Sequence, residues 1–201
     1  KEIDFNPNKK IEIIEIDNNF KIKELGRKKI YLIKNLINIG LTAGLNIGYK
    51  FCEQQNYDYI ARVDCDFIIT KQYFKTIINT LENDKKIVAI SPKIKHAGLR
   101  ETVWWAGLKV KWYFLKFHKT MNLKKKRILD NNNFKGIIDT DAISGCCSMY
   151  RGNILKLTGF GDEEFFFGPE DIELSFRLKK FGKLVVNLDI YTLHKVAISS
   201  R

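Results

Sequence analysis

A chain of 201 residues is long enough for one α/β domain with a sizeable core, or for two small domains at most. Its hydrophobic content of 45% and aromatic content of 12% exclude an intrinsically disordered protein. The net charge of +12, from 35 Lys/Arg against 23 Asp/Glu, favours polyanionic partners, but it does not choose among nucleic acid, anionic lipid and nucleotide phosphates.

Strand-like apolar runs alternate with helical stripes along the chain, which indicates an α/β fold with a mostly parallel sheet. The predicted strands are 10–16, 30–33, 58–63, 86–91, 108–114, 137–149 with an interruption at Gly145, and 183–188. The predicted helices are 45–54, 71–83, a short one beginning at 154–157, and 169–180. We expect Pro92 to stop the fourth strand and residues 159–168, rich in Gly and Phe, to form a loop.

The third predicted strand delivers two carboxylates one residue apart, Asp64 and Asp66. Side chains at i and i+2 of an extended chain point to the same side, and open α/β sheets bind ligands at the carboxyl ends of their strands. Two like charges this close repel unless a cation lies between them, and such hard oxygen ligands suit Mg²⁺ or Mn²⁺. A solvated Asp pair in a loop is the alternative for these two residues alone.

A second acidic pair, Glu170 and Asp171, lies at the predicted start of the last helix, where the helix dipole favours ionised carboxylates. The Phe run at 165–167 could desolvate these acids and raise a carboxylate pKa towards the range of a general base. Arg177 could pair with an acid on the previous turn. A helix N-terminus with favourable charges explains the same acids without chemistry.

Two weaker patterns complete the candidate site. His194 follows the last predicted strand, and it gains interest as a metal ligand only if the fold brings it near Asp66. A segment before the first helix carries glycines that allow a phosphate to approach the backbone, although a tight turn with a helix cap explains it equally. Its marked positions are Asn38, Gly40, Gly44 and Asn46.

The cysteines show neither a C-x-x-C pair nor a zinc-ligand spacing, which is typical of reduced, buried thiols in a cytoplasmic protein. They are Cys52, Cys65, Cys146 and Cys147. No apolar stretch approaches the length of a transmembrane helix, and no signal peptide is visible.

Taken in order, these motifs resemble the family 2 inverting glycosyltransferases of the GT-A fold. The resemblance covers residues from about 11 to 194, and within the family it points to the rhamnosyltransferase-like members that build cell-surface polysaccharides. The segments that carry it are Asp17-Asn18-Asn19, 38–48, Asp64-Cys65-Asp66, 144–151, 159–177 and His194.

The resemblance implies one GT-A domain of α/β class, with a Rossmann-like, mostly parallel central sheet flanked by helices and a small antiparallel element on the acceptor side. Residues 1–95 would form the nucleotide-sugar-binding half and residues 96–201 the acceptor-side half. Such an enzyme moves a sugar from a nucleotide-activated donor to a saccharide or lipid-linked saccharide with inversion, and it uses Mn²⁺ or Mg²⁺.

The resemblance also implies residue roles. Asp66 would bind the metal on the donor diphosphate with His194 as an accessory ligand, and Asp64 would contact the metal or the ribose. Asp171, with Glu170 second, would be the general base that deprotonates the acceptor hydroxyl. Further donor contacts are implied for Asp17, Asn38, Gly40, Gly44 and Asn46. Acceptor-side positions are Gly145 and Arg177.

Family members usually open with a strand and helix that grip the nucleotide. Residues 1–9 are too short and polar to supply them, so we expect the chain to lack this element.

Residues 100–135 hold ten Lys/Arg against two acids, interleaved with aromatic side chains. In an enzyme that acts on lipid-linked sugars, such a patch would lie on the anionic inner face of the cell membrane, which makes a peripheral cytoplasmic location the expectation. Trp104 and Trp105 could equally stack on an acceptor sugar, and a core strand plus a solvated basic loop is the plain alternative.

Two other classes of function stay open. The first is an inactive glycosyltransferase-like fragment that serves as a binding domain, which the short N-terminal segment supports. The second is a basic nucleic-acid-binding protein, which explains the charge but not the acids at strand and helix ends. We expect no nucleic-acid partner.

Overall fold

The computed structural model describes residues 12–16, 29–98, 102–111, 116–119, 128–130 and 134–195. The strands are β1 Glu12–Ile16, β2 Lys29–Ile33, β3 Tyr59–Val63, β4 Phe67–Ile69, β5 Ile87–His96, β6 Thr102–Trp105, β7 Leu108–Lys111, β8 Lys116–Lys119, β9 Ile128–Leu129, β10 Ile137–Asp139, β11 Cys147–Arg151 and β12 Lys183–His194. The helices are α1 Leu41–Gln54, α2 Tyr73–Asn83, α3 Gly152–Thr158 and α4 Glu170–Leu178. No helix within these ranges has the length and apolar character to cross a membrane.

The central sheet has the strand order β10-β12-β5-β11-β3. Strand β12 is parallel to β5, whereas β11 lies between β5 and β3 and is antiparallel to both. Strands β3, β5 and β12 therefore share one direction, and their carboxyl ends lie at the same edge of the sheet. This confirms the predicted α/β architecture with a central sheet flanked by helices.

Antiparallel pairs are nevertheless more frequent in the described part of the sheet than the sequence suggested. Strands β10, β4 and β6 also pair antiparallel with their neighbours. Apolar periodicity reports which side chains are buried and not the direction of a strand, so it could not show this. Two small sheets lie outside the central one, the parallel pair β1–β2 and the antiparallel pair β7–β8.

The helices cover both faces of the central sheet. On one face, Tyr49 of α1, Leu155 of α3 and Leu178 of α4 belong to one buried cluster with side chains of the sheet. On the opposite face, Tyr73 and Ile77 of α2 anchor a second cluster. Each fully buried aliphatic side chain contributes roughly 1.5–3 kcal/mol, so these two layers hold the sheet and its carboxyl-terminal edge in place.

Strand β5 continues through Pro92 to His96, so the expectation that this proline ends the strand is wrong. A proline has no N–H to donate to a ladder. The register with β12 shifts at this point, from Asn187 opposite Pro92 to Tyr191 opposite Lys93. Residues 188–190 of β12 are skipped in this register beside the proline, and β12 runs on to His194 instead of ending at the predicted residue 188.

Several predictions lie outside the described residues. They concern Asp17 and part of the basic segment at 100–135, namely its residues 100–101, 112–115, 120–127 and 131–133.

Candidate active site

The acidic pair follows β3 at the carboxyl edge of the central sheet. The Asp64 N–H donates to the Cys146 carbonyl at 2.9 Å, and the chain turns at Cys65 and Asp66 before β4 begins. The expectation of an extended chain through both acids is therefore wrong. Because of this turn, the carboxylates of Asp64 and Asp66 have different partners.

Asp66 faces His194. Its Oδ2 lies 3.1 Å from His194 Nε2, because β4 pairs with β12 in a register that puts Phe67 opposite His194. The imidazole stacks on the Phe67 ring at 4.5 Å and meets the edge of Trp104 at 4.5 Å. The fold thus brings His194 close to Asp66, which was the condition for a role as metal ligand, and the two aromatic rings fix the imidazole plane.

Asp66 and His194 are side chains of the types that bind divalent ions, and a bound substrate would supply further ligands. Within the described ranges, no group of three His, Cys, Asp or Glu side chains gathers as a metal site. Mg²⁺ and similar ions are commonly held by one or two carboxylates plus substrate phosphates and water. Asp66 supplies one such carboxylate, His194 adds an imidazole, and Asp64 accepts a hydrogen bond from another partner.

That partner is Arg62, a residue for which the sequence analysis had no role. Its side chain is 5% exposed, and Nε donates to Asp64 Oδ1 at 3.3 Å. Its Nη1 donates to Glu170 Oε1 at 3.2 Å. Burial raises the pKa of the Asp64 carboxyl, while Arg62 opposes that rise. An arginine two residues before the acid pair shares its face of the strand, which is the signal that could have identified it.

The second acidic pair begins α4 at the same edge. Glu170 is buried, and Asp171 Oδ2 accepts a hydrogen bond from the Gly145 N–H at 2.9 Å. Burial raises the pKa of Asp171; the Gly145 N–H lowers it and the neighbouring Glu170 charge raises it further. Phe166 and Phe167 are 59% and 79% exposed, so the expectation that this run desolvates the acids is wrong for these two rings.

Gly145 lies where the two acidic pairs meet. A Cβ at this position would lie 2.8 Å from Arg62 Nη1 and 2.9 Å from the Asp171 Cβ. The position therefore has no room for a side chain. The same turn supplies the Cys146 carbonyl that accepts the Asp64 N–H, so Gly145 and Cys146 connect β3 to α4.

We expect Gly145→Ala to destabilise the fold by about 1–3 kcal/mol, because Arg62 or α4 must move. Thermal unfolding measures the effect. Gly98→Ala is the matched control, since a Cβ at Gly98 would meet no atom of the described residues within 4 Å. Equal behaviour of the two variants would contradict this reading of the turn.

The glycine- and asparagine-marked segment holds the loop 159–168 against the start of α1. Gly40 has φ +89°, and a Cβ there would lie 2.7 Å from the Phe166 ring. The Leu41 N–H donates to the Phe166 carbonyl at 2.8 Å, and the Thr42 hydroxyl donates to the Phe165 carbonyl at 2.5 Å. The Phe166 carbonyl therefore caps the first N–H of α1, and Gly40 itself makes no side-chain cap bond.

Asn46 fastens the other end of that loop. It is 3% exposed, and its amide both donates to the Gly161 carbonyl and accepts from the Gly161 N–H, at 2.8 and 2.9 Å. Asn38 accepts from the Gly40 N–H at 3.0 Å, and a Cβ at Gly44 would meet no atom within 4 Å. The donor-binding roles of these four positions stay predictions, because the contacts seen are internal.

Arg177 pairs with Glu173 one turn earlier, as predicted, with its Nε 2.5 Å from Glu173 Oε1. Its two terminal nitrogens donate to the Thr158 and Phe160 carbonyls, each at 2.5 Å. This geometry gives Arg177 a structural role in fixing the end of α3, and its acceptor-side role stays a prediction.

The remaining predicted positions are two tryptophans and four cysteines, and they differ in how far they are buried. Trp104 and Trp105 on β6 are half-buried against the core, and the Trp104 ring contacts His194. Their acceptor-side role stays a prediction. All four cysteines are free thiols, but Cys65 is exposed, so the expectation of buried thiols is wrong there. Burial raises the pKa of Cys146 to about 12, which keeps that thiol protonated.

Comparisons with known proteins give a family and a similar fold. The family model described as glycosyl transferase family 2 matches residues 4–157, a range that includes Asp64 and Asp66 and ends before Glu170, Asp171 and His194. No curated protein matches the chain.

Among solved structures, the crystal structure of GalNAc-T7 with UDP, GalNAc and Mn²⁺ is similar, with a TM-score of 0.61 and 15% sequence identity. The match covers 83% of this chain and 32% of that chain, so this chain spans about a third of the length of that protein. At this identity, the likeness concerns the fold.

Proposed function

This chain belongs to glycosyl transferase family 2, and we propose that it is a metal-dependent, inverting glycosyltransferase. The observation that carries the proposal is the position of the two acidic pairs, one after β3 and one at the start of α4, at the same edge of the central sheet. Asp66 faces His194 in a geometry that suits a divalent ion, and Asp171 lies on a separate helix behind Gly145. Arg62 pairs with the other member of each acidic pair, Asp64 and Glu170.

Asp66 and His194 would hold the metal at the donor end of the site. When bound, a divalent ion offsets the negative charge on a departing nucleoside diphosphate. The aromatic contacts of His194 with Phe67 and Trp104 keep its Nε2 directed at Asp66. Asp64, held by Arg62, presents its carboxylate beside that point and is proposed to contact the donor ribose or the metal.

Asp171 is the proposed general base. Glu170 is buried and paired with the Arg62 guanidinium, so it is less accessible to an acceptor hydroxyl. The raised pKa of Asp171 brings its proton affinity closer to that of a working base. An acceptor oxygen that loses its proton to Asp171 would attack the sugar from the face opposite the diphosphate, which inverts the anomeric carbon.

The pH dependence of transfer follows from the same carboxyl. A base must be ionised, and burial raises the pKa of Asp171 above its ordinary 3.8, so transfer should be lost as the pH falls through that higher value. We expect the acidic limb of kcat/KM to lie above pH 3.8 and to move in Asp171→Glu, as measured by initial rates across the acidic range. A limb at or below 3.8, unchanged in Asp171→Glu, would contradict this assignment.

The finer parts of the proposal concern substrates and place. We propose a saccharide or lipid-linked saccharide acceptor in cell-surface polysaccharide synthesis, with rhamnosyltransferase-like specificity and Mn²⁺ or Mg²⁺ as cofactor. Residues 1–95 would bind the donor and residues 96–201 the acceptor. The basic segment 100–135 would contact an anionic inner membrane surface, which its ten Lys/Arg support.

Calorimetric titration with UDP, GDP and dTDP, each with and without Mn²⁺, tests the function. We expect one nucleotide to bind, with Mn²⁺ required. UDP comes first because the similar GalNAc-T7 structure contains UDP and Mn²⁺. If none of the three nucleotides binds, the proposal is overturned and a donor-inactive domain is favoured. Salt-dependent retention on RNA or DNA would then favour the nucleic-acid alternative.

A further inference from the structure

Arg62 joins two parts of the site that are distant in the chain. Ile60, Arg62 and Asp64 share one face of β3, and Ile60 packs in the cluster that contains α4. The guanidinium therefore points towards the beginning of α4. Its partner Glu170, the first residue of α4, is 108 residues away in sequence.

The bonds of Arg62 use different nitrogens for different carboxylates. Nε donates to Asp64 at 3.3 Å, and Nη1 donates to Glu170 at 3.2 Å. The Gly145 backbone closes over the same guanidinium, with room for no Cβ between them. A planar fork can hold two carboxylates at set positions, whereas a lysine ammonium is a single point charge that cannot reproduce this spacing.

The charges explain why such a fork is needed. Asp64, Glu170 and Asp171 bring three carboxyl groups to one edge of the sheet, and Arg62 is the cation paired with two of them. Like charges in a partly buried site repel one another. A cation between β3 and α4 offsets that repulsion and holds the two elements at a fixed distance.

We propose that Arg62 is a positioning residue that sets the distance between the donor-side carboxylate Asp64 and the helix that carries Asp171. The role rests on the proposed function, because it gives Arg62 its effect on transfer. Arg62 donates hydrogen bonds to Asp64 and to Glu170, so it places Asp64 beside the donor and, through Glu170, the next residue Asp171. Its charge also acts directly on the Asp171 carboxyl, where burial raises the pKa and Arg62 lowers it. A one-ångström change in the placement of a reacting group is enough to cost a large factor in rate.

Arg151 provides a matched control. It lies on β11, and its guanidinium donates to the backbone carbonyls of Ile87 at 2.7 Å and of Leu81 at 2.5 Å. Arg151 pairs in register with Tyr59, the first residue of β3, at the edge of the sheet opposite the acids. It therefore stabilises the fold without contact with the site.

The experiment compares Arg62→Lys with Arg151→Lys by kcat, by the Kd of the Mn²⁺–nucleotide complex, and by Tm. We expect Arg62→Lys to lower kcat at least about tenfold and to weaken nucleotide binding, whereas Arg151→Lys lowers Tm and keeps kcat. Combined with Asp64→Ala, which removes the acceptor of the Arg62 Nε–H, Arg62→Lys should give a non-additive loss, because both changes alter the same hydrogen bond. An unchanged kcat in Arg62→Lys, or fully additive losses, would overturn the inference.

Amide hydrogen exchange separates this inference from the proposed function. This test needs no enzymatic activity. Because the Gly145 N–H donates to Asp171, loss of the Arg62 guanidinium should speed amide exchange at Gly145, and Arg62→Lys should do so more than Arg151→Lys. If the wild-type protein binds no nucleotide, only the proposed function is overturned, and the exchange comparison still tests the positioning role of Arg62. Equal exchange at Gly145 in both variants would overturn it.

Glu170→Gln provides a second test if Arg62→Lys does not fold. It retains an oxygen that can accept from Arg62 but removes the charge of the pair, so we expect kcat to fall about threefold and exchange at Gly145 to rise. An unchanged kcat together with unchanged exchange would overturn the inference.

Discussion

Asp66→Ala is expected to abolish Mn²⁺-dependent nucleotide binding and to lower sugar transfer at least about 10²-fold, since metal stabilisation of a leaving diphosphate is worth several kcal/mol. The substitution removes the carboxylate that faces His194 at 3.1 Å. The Asp66 side chain is 36% exposed, so its removal leaves no large buried cavity, and the fold should persist although His194 Nε2 loses its partner. Calorimetry with Mn²⁺ and the bound nucleotide, followed by initial rates, measures both effects.

Asp139→Ala is the control for that loss. Asp139 is an exposed carboxylate at the end of β10, and its replacement removes one negative charge without touching the site. We expect its nucleotide affinity and transfer rate to equal those of the wild-type protein. Undiminished Mn²⁺-dependent binding in Asp66→Ala would contradict the placement of the metal.

Asp171→Asn is expected to lower kcat about 10²–10⁴-fold, the usual contribution of a positioned general base, while the Kd of the Mn²⁺–nucleotide complex stays at the wild-type value. The amide keeps an oxygen that can accept the Gly145 N–H, so the turn that joins β3 to α4 should be preserved. Single-turnover rates with saturating donor measure the chemical step, and calorimetry measures donor binding.

Glu170→Gln separates the two acids of α4. Because Glu170 is buried and paired with Arg62, its replacement should cost far less than that of Asp171. A larger loss of kcat in Glu170→Gln than in Asp171→Asn would reverse the assignment of the base.

The sequence located the elements that carry the acids because their signals are local. The apolar run before Asp64 predicted β3, and the acids around Glu170 predicted the start of α4, which the structure places within one or two residues. Each signal depends on the periodicity of a few neighbouring side chains. The same is true of the pairing of Arg177 with Glu173, four residues apart on one helix.

The contacts that assemble the site were not predictable in the same way, because they join distant parts of the chain. Arg62 and Glu170 are 108 residues apart, and Asn46 and Gly161 are 115 residues apart. A single sequence gives no indication of such pairs. The register shift opposite Pro92 is a similar case, since it depends on β12 rather than on the proline alone.

His194 shows how the two kinds of information combine. The sequence set a condition, proximity to Asp66, and the structure meets it through β4, a three-residue strand that the sequence analysis did not predict. Short strands carry little periodicity, so β4 becomes visible only through its pairing with β12.

The most direct test of the account is the effect of Mn²⁺ on the imidazole resonances of His194, assigned by comparison with His194→Gln. Paramagnetic Mn²⁺ broadens nuclei close to it. With the bound nucleoside diphosphate present, we predict that substoichiometric Mn²⁺ broadens the His194 signals and that Asp66→Ala abolishes the broadening. His194 signals that stay sharp while the nucleotide binds in an Mn²⁺-dependent manner would contradict a donor metal site at Asp66 and His194.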